Sequence, residues 1–278
     1  MKKISRRSFM AAAAVSVAAL AMTACGGSAS SAASSVASSA ASSEAVSSAA
    51  AAELTTVEAG KLTMATNAAF PPYEMTTDAG EFEGIDVDTA KAIAEKLGLE
   101  LQIDDMDFDA ALLSVQQGKA DIVMAGVTVT DERKAVMDFS DSYATGIQSI
   151  IVPEGSDITS PDDLAGKKIG TQRGTTGYIY CSDDFGDDAV VAYDDGLTAV
   201  QALNNGQVDA VVIDNAPAKE FVAANPGLVI LDTSYAEEDY AIGMAKGSAL
   251  EDAVNKALEE LKADGTLQAI VDKYINAN

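Results

Sequence analysis

The sequence predicts an α/β fold built from two units of similar construction. From about residue 58 onward, short apolar runs alternate with segments of helical periodicity, as in chains that alternate strands and helices. The segments Leu113–Asp121 and Leu203–Asp209 share one order: a helix end, a glycine stop and an aspartate, followed by an apolar strand. This repetition favours two similar units, although the residues that commonly end helices and begin strands could also produce it by chance.

The elements of the first unit follow from local signals. Lys61–Thr66 is predicted as a strand, and Asp88–Leu97 as a helix, because its apolar residues share one face and Gly98 follows as a stop. The same reasoning predicts a helix over Phe108–Gln117, a buried strand over Asp121–Ala125 and a helix that starts near Thr130.

The second unit shows the same signals. Ser160–Leu164 has a helix-start signature, with serine as the N-cap, then proline, then acids. The other predicted elements are a strand over Ser149–Val152, a strand over Lys168–Gln172, a helix over Leu197–Leu203, a strand over Val208–Ile213, and helices over Ala249–Lys262 and Leu267–Ile275.

The first 24 residues have the features of an export signal. A basic start precedes the apolar run Met10–Ala21, which is too short to span a bilayer comfortably. The run ends in Met22–Gly26, which resembles a lipobox, so Cys25 is the predicted lipidation site; the alternative is an ordinary cleavage site beside a chance cysteine. Ser5–Met10 resembles a twin-arginine export motif, but it also fits an ordinary basic start.

Residues 25–57 are predicted as the lipidated cysteine and a disordered tether. From Gly26 to about Ala52 the chain is almost entirely serine and alanine, with too few large apolar groups to offset the entropy of ordering. Two acyl chains on Cys25 would give stable anchoring at the outer face of the membrane.

The composition excludes several classes of function. The formal net charge is −25, so neither nucleic acid nor an anionic membrane surface is an expected partner. There is no histidine, which removes histidine-based catalysis and the commonest metal ligand. We therefore expect no catalytic residues, no metal and no cofactor. Cys181, left without Cys25 as a partner, is predicted to be a lone structural thiol.

Two charged residues follow the two repeated strands. Arg133 comes shortly after the first strand and Asp214 directly after the second. Ligands of open α/β sheets collect at the carboxyl ends of strands, so these residues could grip the carboxylate and the ammonium of one zwitterion. Arg133 could instead pair locally with Asp131 or Asp138 on a solvated face.

The chain resembles family 3 of the extracellular solute-binding proteins, the polar amino acid receptors of ABC importers. Gly84–Ile93 is similar to the signature of that family. Ala125–Arg133 followed by Asp138–Ser140 matches the family more closely still, and this stretch is similar to the glutamine-binding members. The resemblance covers Lys61 to Tyr274. Thr89 departs from the signature, which has an aliphatic residue at this position of the helix face.

The resemblance implies a two-lobed periplasmic-binding-protein fold of type II, a Venus flytrap with two hinge crossovers. We expect residues 58–143 and 241–278 to form lobe 1 and residues 144–240 to form lobe 2. The hinge is expected near Tyr143–Gly146 and Glu238–Tyr240. The protein is expected to be a monomer that docks on the importer permease.

The resemblance also implies roles for individual residues. Aromatic rings would sandwich the ligand, Arg133 and Thr128 would hold its carboxylate, and Asp214 would hold its ammonium together with Gly126 and Thr128. The predicted ligand-binding set is Asn67, Phe70, Phe108, Ala125, Gly126, Thr128, Arg133, Gln172, Thr175, Thr176 and Asp214. Neutral Asn67 favours a neutral polar ligand, whereas Arg173 beside Gln172 leaves an acidic ligand possible.

Two rival functions remain open at this level. An exported cyclohexadienyl-type dehydratase on the same scaffold would need a general acid, for which Glu74 is the candidate, although we expect Glu74 to face solvent. A sensing domain of a membrane receptor would need a later apolar span, and none follows before Asn278.

Overall fold

Two mixed β-sheets organise residues 54–275, the part of the chain that the structure, a computed structural model, describes. The predicted export signal, Cys25 and most of the tether lie outside this range. The helices are α1 (Ile85–Leu97), α2 (Phe108–Gln116), α3 (Asp131–Lys134), α4 (Thr176–Phe185), α5 (Gly196–Asn204), α6 (Asn215–Ala224), α7 (Glu251–Ala263) and α8 (Thr266–Tyr274).

The strands number from β1 to β14 along the described chain. They are β1 (Lys61–Thr66), β2 (Ala69–Phe70), β3 (Glu74–Thr76), β4 (Phe82–Glu83), β5 (Glu100–Asp105), β6 (Ile122–Val123), β7 (Met137–Phe139), β8 (Ala144–Pro153), β9 (Ile169–Gln172), β10 (Val190–Tyr193), β11 (Ala210–Asp214), β12 (Leu228–Ile230), β13 (Ala236–Tyr240) and β14 (Gly243–Ala245).

The first sheet has the strand order β5-β1-β6-β14-β7. β1 runs parallel to β5 and β6, while β14 runs antiparallel to β6 and β7. Leu62 and Met64 of β1 pack in one apolar cluster and Ala65 packs in another, because side chains alternate between the two faces of a strand. The first sheet is therefore covered on both faces.

The second sheet has the order β10-β9-β11-β8-β12, with β13 also paired to β8. β9 runs parallel to β10 and β11, and β8 runs antiparallel to β11, β12 and β13. Ile150 and Ile151, neighbours on β8, again belong to separate buried clusters. Both sheets thus have the same two-sided construction, as the repeated sequence pattern predicts.

The chain crosses between the sheets twice. It leaves the first sheet after Phe139 and enters the second at Ala144; it returns between Tyr240 and Gly243. The two crossings lie side by side, since β8 and β13 pair with Ala144 opposite Tyr240 and Gly146 opposite Glu238. This is the two-lobed α/β fold with two crossovers that the sequence predicts.

Helix α1 begins three residues earlier than the predicted Asp88. Gly84 is its N-cap and makes no side-chain cap bond, so no local capping signal marks the start. The first N–H groups are satisfied from a distant loop instead: Ile85 N–H donates to Pro72 O at 3.0 Å and Asp86 N–H donates to Tyr73 O at 2.9 Å.

Two other predicted elements are shorter than the sequence suggests. The strand predicted over Asp121–Ala125 is reduced to Ile122–Val123. The Asp121 carboxylate accepts instead from the N–H groups of Val57 and Thr63, each at 2.8 Å. The helix start at Ser160 yields a single 3₁₀ turn over Pro161–Leu164, although its capping box is present.

The end of the predicted tether contacts the first lobe. Leu54 packs against the apolar cluster that contains Leu62 and Met64, and Val57 donates its N–H to Asp121. Within residues 54–275, no helix is both long and apolar enough to cross a membrane.

Gly146 allows the buried Tyr240 ring to lie against the β8 backbone at the crossing. A Cβ at this position would lie 2.5–2.6 Å from three atoms at the hydroxyl end of that ring. Tyr240 is 1% exposed, so its ring cannot move aside without disturbing the core.

We expect Gly146→Ala to lower the free energy of unfolding by about 1–3 kcal/mol, measured by urea titration. Thr145→Ala, an exposed change on the same strand, should stay within about 0.5 kcal/mol; equal stability of the two variants would contradict this reading.

Candidate functional site

All eleven predicted ligand-binding residues line one cavity between the two sheets. Seven come from the first lobe and four from the second: Asn67, Phe70, Phe108, Ala125, Gly126, Thr128 and Arg133, and Gln172, Thr175, Thr176 and Asp214. The centres of small atoms can occupy about 30 Å³ of this cavity. On the same measure a single buried water molecule needs roughly 10–15 Å³. The space therefore suits a small solute rather than a polymer.

Arg133 is held rigidly at one end of the cavity. Thr130 caps α3 by accepting from the Arg133 N–H, which fixes the backbone of the short helix. The guanidinium donates to Thr128 O at 2.7 Å and to Gly174 O at 3.1 Å, and it stacks over the Phe108 ring at 5.3 Å. Burial lowers the pKa of Arg133 from its usual value, against the opposing charge of Glu238.

The local alternative for Arg133 is wrong. Its side chain is buried, with 8% exposed, and it points into the cavity. Asp138 instead pairs with Lys246 at 2.6 Å on the surface. A guanidinium has five N–H donors, and two of those of Arg133 are taken by backbone carbonyls, so donors remain for a ligand carboxylate.

Asp214 ends β11 and caps α6. Its two oxygens accept from Ala216 N–H at 3.0 Å and from Ile147 N–H at 2.8 Å, which fixes the carboxylate at the cavity wall. Asp214 is 1% exposed, and this burial raises its pKa to about 6. It is a buried acid whose charge has no cationic partner among its hydrogen bonds, so a ligand ammonium would suit it.

Gly126 explains how the Phe70 ring reaches the cavity. Its φ of 55° lies in the left-handed region, and a Cβ here would approach the Phe70 ring to 2.9 Å. Its N–H is already used, since it donates to the Asp86 carboxylate at 3.0 Å. The carbonyl of Gly126, rather than its N–H, is therefore the group left for a ligand.

Several polar contacts tie the two lobes together across the cavity, among them the hydrogen bond that the Thr128 hydroxyl donates to Glu238 at 3.0 Å. Gln172 donates through Nε2 to Asn67 Oδ1 at 2.8 Å, and Arg133 donates to Gly174 O. The hydroxyls of Thr128 and Thr176 lie 3.4 Å apart. The structure therefore has the lobes closed around the cavity.

Comparison with known proteins identifies the family. The model of the bacterial extracellular solute-binding proteins, family 3, matches residues 62–277. The chain belongs to this family. The resemblance predicted from the sequence motifs is thus confirmed.

Three relatives illustrate the range of the family. The L-cystine-binding protein TcyJ of Escherichia coli is 33% identical over 80% of this chain and 85% of its own. The ABC transporter glutamine-binding protein GlnH of Bacillus subtilis is 34% identical, and the match covers 71% of this chain and 74% of GlnH. The structure of the arginine-, lysine-, histidine-binding protein ArtJ of Geobacillus stearothermophilus matches with a TM-score of 0.75 and 34% sequence identity. The match covers 78% of this chain and 96% of the ArtJ chain.

Five further residues of this family 3 protein line the cavity but are absent from the predicted set: Glu74, Gln148, Val212, Ile213 and Tyr240. Val212 and Ile213 directly precede Asp214, so their position on the strand could have indicated them. Gln148 is a buried amide on β8, and it donates to Glu238 at 3.0 Å. Tyr240 gives no sequence signal of its own.

The prediction for Glu74 is wrong. It is expected in solvent, yet its side chain is fully buried and forms part of the cavity wall. Arg173, on which the acidic alternative for the ligand depended, lies outside the cavity, with 56% of its side chain exposed, and it lies 3.6 Å from Asp194. Cys181 is buried and makes no disulfide within residues 54–275, and burial raises its pKa to about 12.

Asp214 should make stability depend on pH in a defined direction. Its pKa rises from an ordinary 3.8 to about 6 on folding, so its stabilising protonation is complete below about pH 4 and is lost as pH rises through 6. Relative to Asp214→Asn, the wild type should lose about 2–3 kcal/mol of unfolding free energy between pH 4 and 7.5.

The measurement is urea unfolding of both proteins at the two pH values. The constant cost of the lost helix cap cancels in the comparison. Asp183→Asn, an exposed change, should differ from wild type by at most about 0.5 kcal/mol at both values. A difference between wild type and Asp214→Asn that does not change with pH would contradict the argument.

Proposed function

We propose that the chain binds one free α-amino acid between its lobes and delivers it to the permease of an ABC transporter. The ligand carboxylate lies at Arg133 and Thr128, and its ammonium lies at Asp214. The observation that carries the proposal is the pairing of two buried, opposite charges, one from each lobe, in the wall of a single small cavity. An α-amino acid is the small molecule that carries both complementary charges on one carbon.

The remaining contacts fit the same ligand. Phe70 and Phe108 flank it, while the first-turn N–H of Thr176 faces its carboxylate end, where a helix start favours an anion. Each charge-assisted hydrogen bond contributes about 1.5–3 kcal/mol, so three or four reach the roughly 8 kcal/mol of micromolar binding. Asn67 and Gln172 lie where we place the ligand side chain.

Closure is the step that the ligand controls. Arg133 and Asp214 belong to different lobes, so in an open protein the ligand can contact only one of them. In the closed form the ligand contacts both, and it therefore stabilises that form. The paired strands β8 and β13 carry the chain between the lobes and serve as the hinge. The permease then recognises the closed shape.

We further propose that the protein is a receptor without catalytic activity, anchored outside the cell through acylated Cys25. The relatives are binding proteins by name, which supports a receptor over the dehydratase alternative. The apolar run and the lipobox-like Met22–Gly26 support the anchor, and the serine- and alanine-rich segment provides the reach from the membrane to the lobes.

Arg133→Ala should abolish ligand binding while the fold is retained. Removal of the guanidinium leaves the ligand carboxylate without its main donor in a buried site, and the dissociation constant should rise at least ~100-fold in calorimetry. Wild type is first titrated with a panel of L-amino acids to identify the ligand. Arg173→Ala removes an exposed arginine of the second lobe and should bind as wild type does. Unchanged affinity in a folded Arg133→Ala variant would refute the site.

Cys25→Ser should release the protein from membranes. In a bacterial host that lipidates exported proteins, wild type should sediment with the membrane fraction and carry a diacylglycerol on Cys25 in mass spectrometry. The serine variant should be recovered in the soluble fraction. Cys181→Ser should remain with the membranes, since this thiol is buried in the second lobe. Membrane association of the Cys25→Ser variant after loss of the export signal would contradict the anchor.

A further inference from the structure

Glu238 is a buried carboxyl group on the second crossing between the lobes. It lies on β13, is 6% exposed, and stands behind the cavity rather than in its wall. Its Oε2 accepts two hydrogen bonds, one from the Thr128 hydroxyl and one from Gln148 Nε2, each at 3.0 Å. Thr128 belongs to the first lobe and Gln148 to the second, and both line the cavity. Glu238 therefore contacts two residues of the wall, one from each lobe.

The second lobe holds the Glu238 carboxyl group in place. Gln148 lies on β8, the strand that pairs with β13, and its amide nitrogen can only donate. The Tyr180 hydroxyl of α4 also hydrogen-bonds to this carboxyl group. Burial, followed by the charge of Glu238, raises the pKa of the Tyr180 phenol above its ordinary value. Two elements of the second lobe, β8 and α4, thus fix the position of Glu238.

Glu238 leaves the guanidinium of Arg133 available to a ligand. The charge of Glu238 opposes the effect of burial on the pKa of Arg133, so the two groups are close enough to interact. The hydrogen bonds of the guanidinium nevertheless go to the carbonyls of Thr128 and Gly174, not to Glu238. The direct hydrogen bond between Glu238 and the first lobe is therefore the one from Thr128.

The single hydrogen of the Thr128 hydroxyl is used by its bond to Glu238. A hydroxyl group has one O–H donor and two acceptor lone pairs. Glu238 Oε2 accepts from both Thr128 and Gln148, so the Thr128 hydrogen points at Glu238 rather than into the cavity. The Thr176 hydroxyl, 3.4 Å from that of Thr128, is then the donor of that pair. The donors therefore run in one direction, from Thr176 through Thr128 to Glu238.

The Thr128 oxygen can therefore only accept a hydrogen bond from a ligand. It can bind the N–H of an ammonium, whereas a ligand carboxylate must use the Thr128 N–H instead. The wall offers two more acceptors, the Asp214 carboxylate and the carbonyl of Gly126. These three acceptors match the three N–H groups of an α-ammonium. A ligand hydroxyl in the same place has one hydrogen and would leave two of the acceptors unsatisfied.

We propose that Glu238 is a positioning residue, which holds the Thr128 hydroxyl as an acceptor and thereby makes the site select an α-ammonium over an α-hydroxyl group. This inference rests on the proposed amino acid site and goes beyond it, since Glu238 acts on the ligand through Thr128. Its contribution is an acceptor oxygen for the Thr128 hydrogen. The ligand class that it disfavours is the 2-hydroxy acids, which carry the same carboxylate and side chain as the corresponding amino acids.

The test compares an amino acid with its 2-hydroxy analogue. Wild type is titrated by calorimetry with the standard L-amino acids and L-cystine, and the tightest binder is paired with the 2-hydroxy acid of the same side chain, measured by displacement. Glu238→Met removes both carboxyl oxygens and keeps the length of the side chain. We expect the preference for the amino acid over the hydroxy acid to fall ~10-fold, because the Thr128 hydroxyl can then donate into the cavity.

Two further variants separate the orientation of Thr128 from a general defect. Glu238→Gln keeps a carbonyl oxygen that can accept from both Thr128 and Gln148, so it should restore most of the preference that Glu238→Met loses. Glu237→Met makes the matched change at the exposed neighbour on β13 and should bind both ligands as wild type does. A defect of closure alone would weaken both ligands equally and leave their affinity ratio unchanged.

Thr128→Val tests the residue through which Glu238 acts, and it decides the matter if Glu238→Met does not fold. Loss of the hydroxyl should lower the preference by the same ~10-fold, because one acceptor of the ammonium is gone. Glu238→Met added to Thr128→Val should lower the preference no further, since the two residues act as one unit.

The outcomes separate the two proposals. Equal weakening of both ligands in a folded Glu238→Met variant would overturn the positioning role and leave the amino acid receptor intact. An unchanged preference in Thr128→Val, or a Glu238→Gln variant that behaves as Glu238→Met does, would overturn it as well. Absence of binding by every amino acid of the panel would overturn the receptor itself.

Discussion

The burial of complementary charges on two separate lobes is the constraint on which the structure depends. Arg133 and Asp214 are both withdrawn from water, and each is fixed by backbone hydrogen bonds that orient it without neutralising it. The cost of burying such groups is high unless an opposite charge arrives. In the proposed complex, a zwitterion between them would supply both opposite charges at once, and closure and ligand capture would be a single event.

Local structure at the ends of two elements fixes the positions of the two charges. Asp214 ends a central strand and caps the helix that follows, while Arg133 lies on a single-turn helix fixed by Thr130. The two crossings run as neighbouring paired strands. Gly146 admits the Tyr240 ring at this point, and the same ring lines the cavity. Tyr240 therefore belongs both to a crossing between the lobes and to the cavity wall.

Two buried carboxyl groups, those of Glu74 and Asp86, lie close together beside the cavity. In the proposed complex, Arg133 and Asp214 contact the groups that all α-amino acids share, so these two residues would not distinguish one ligand side chain from another. Discrimination must come from the rest of the wall, where Asn67 and Gln172 are neutral and already bonded to each other. Glu74 and Gln148, both in the cavity wall, have side-chain oxygens without a hydrogen-bond partner among the described residues. The names of the relatives span neutral and basic ligands, so the local chemistry has to decide.

The sequence by itself determined the class of fold, about half of the helices and strands, and the set of eleven residues that line one cavity. These follow from periodicity, glycine stops and motifs, which are local in the chain. Only the tertiary structure decided the rest. Glu74 was expected in solvent because a single glutamate after Pro71–Pro72 carries no periodic signal; the packing of the β2–β3 hairpin on α1 buries it. Distant partners likewise decide the start of α1, the shortening of the Asp121 strand and the contact between Gln172 and Asn67. These partners lie from about a dozen to 105 residues away in the chain. Hydrogen-bond satisfaction across such distances is settled by three-dimensional packing, because no pattern of neighbouring residues encodes it.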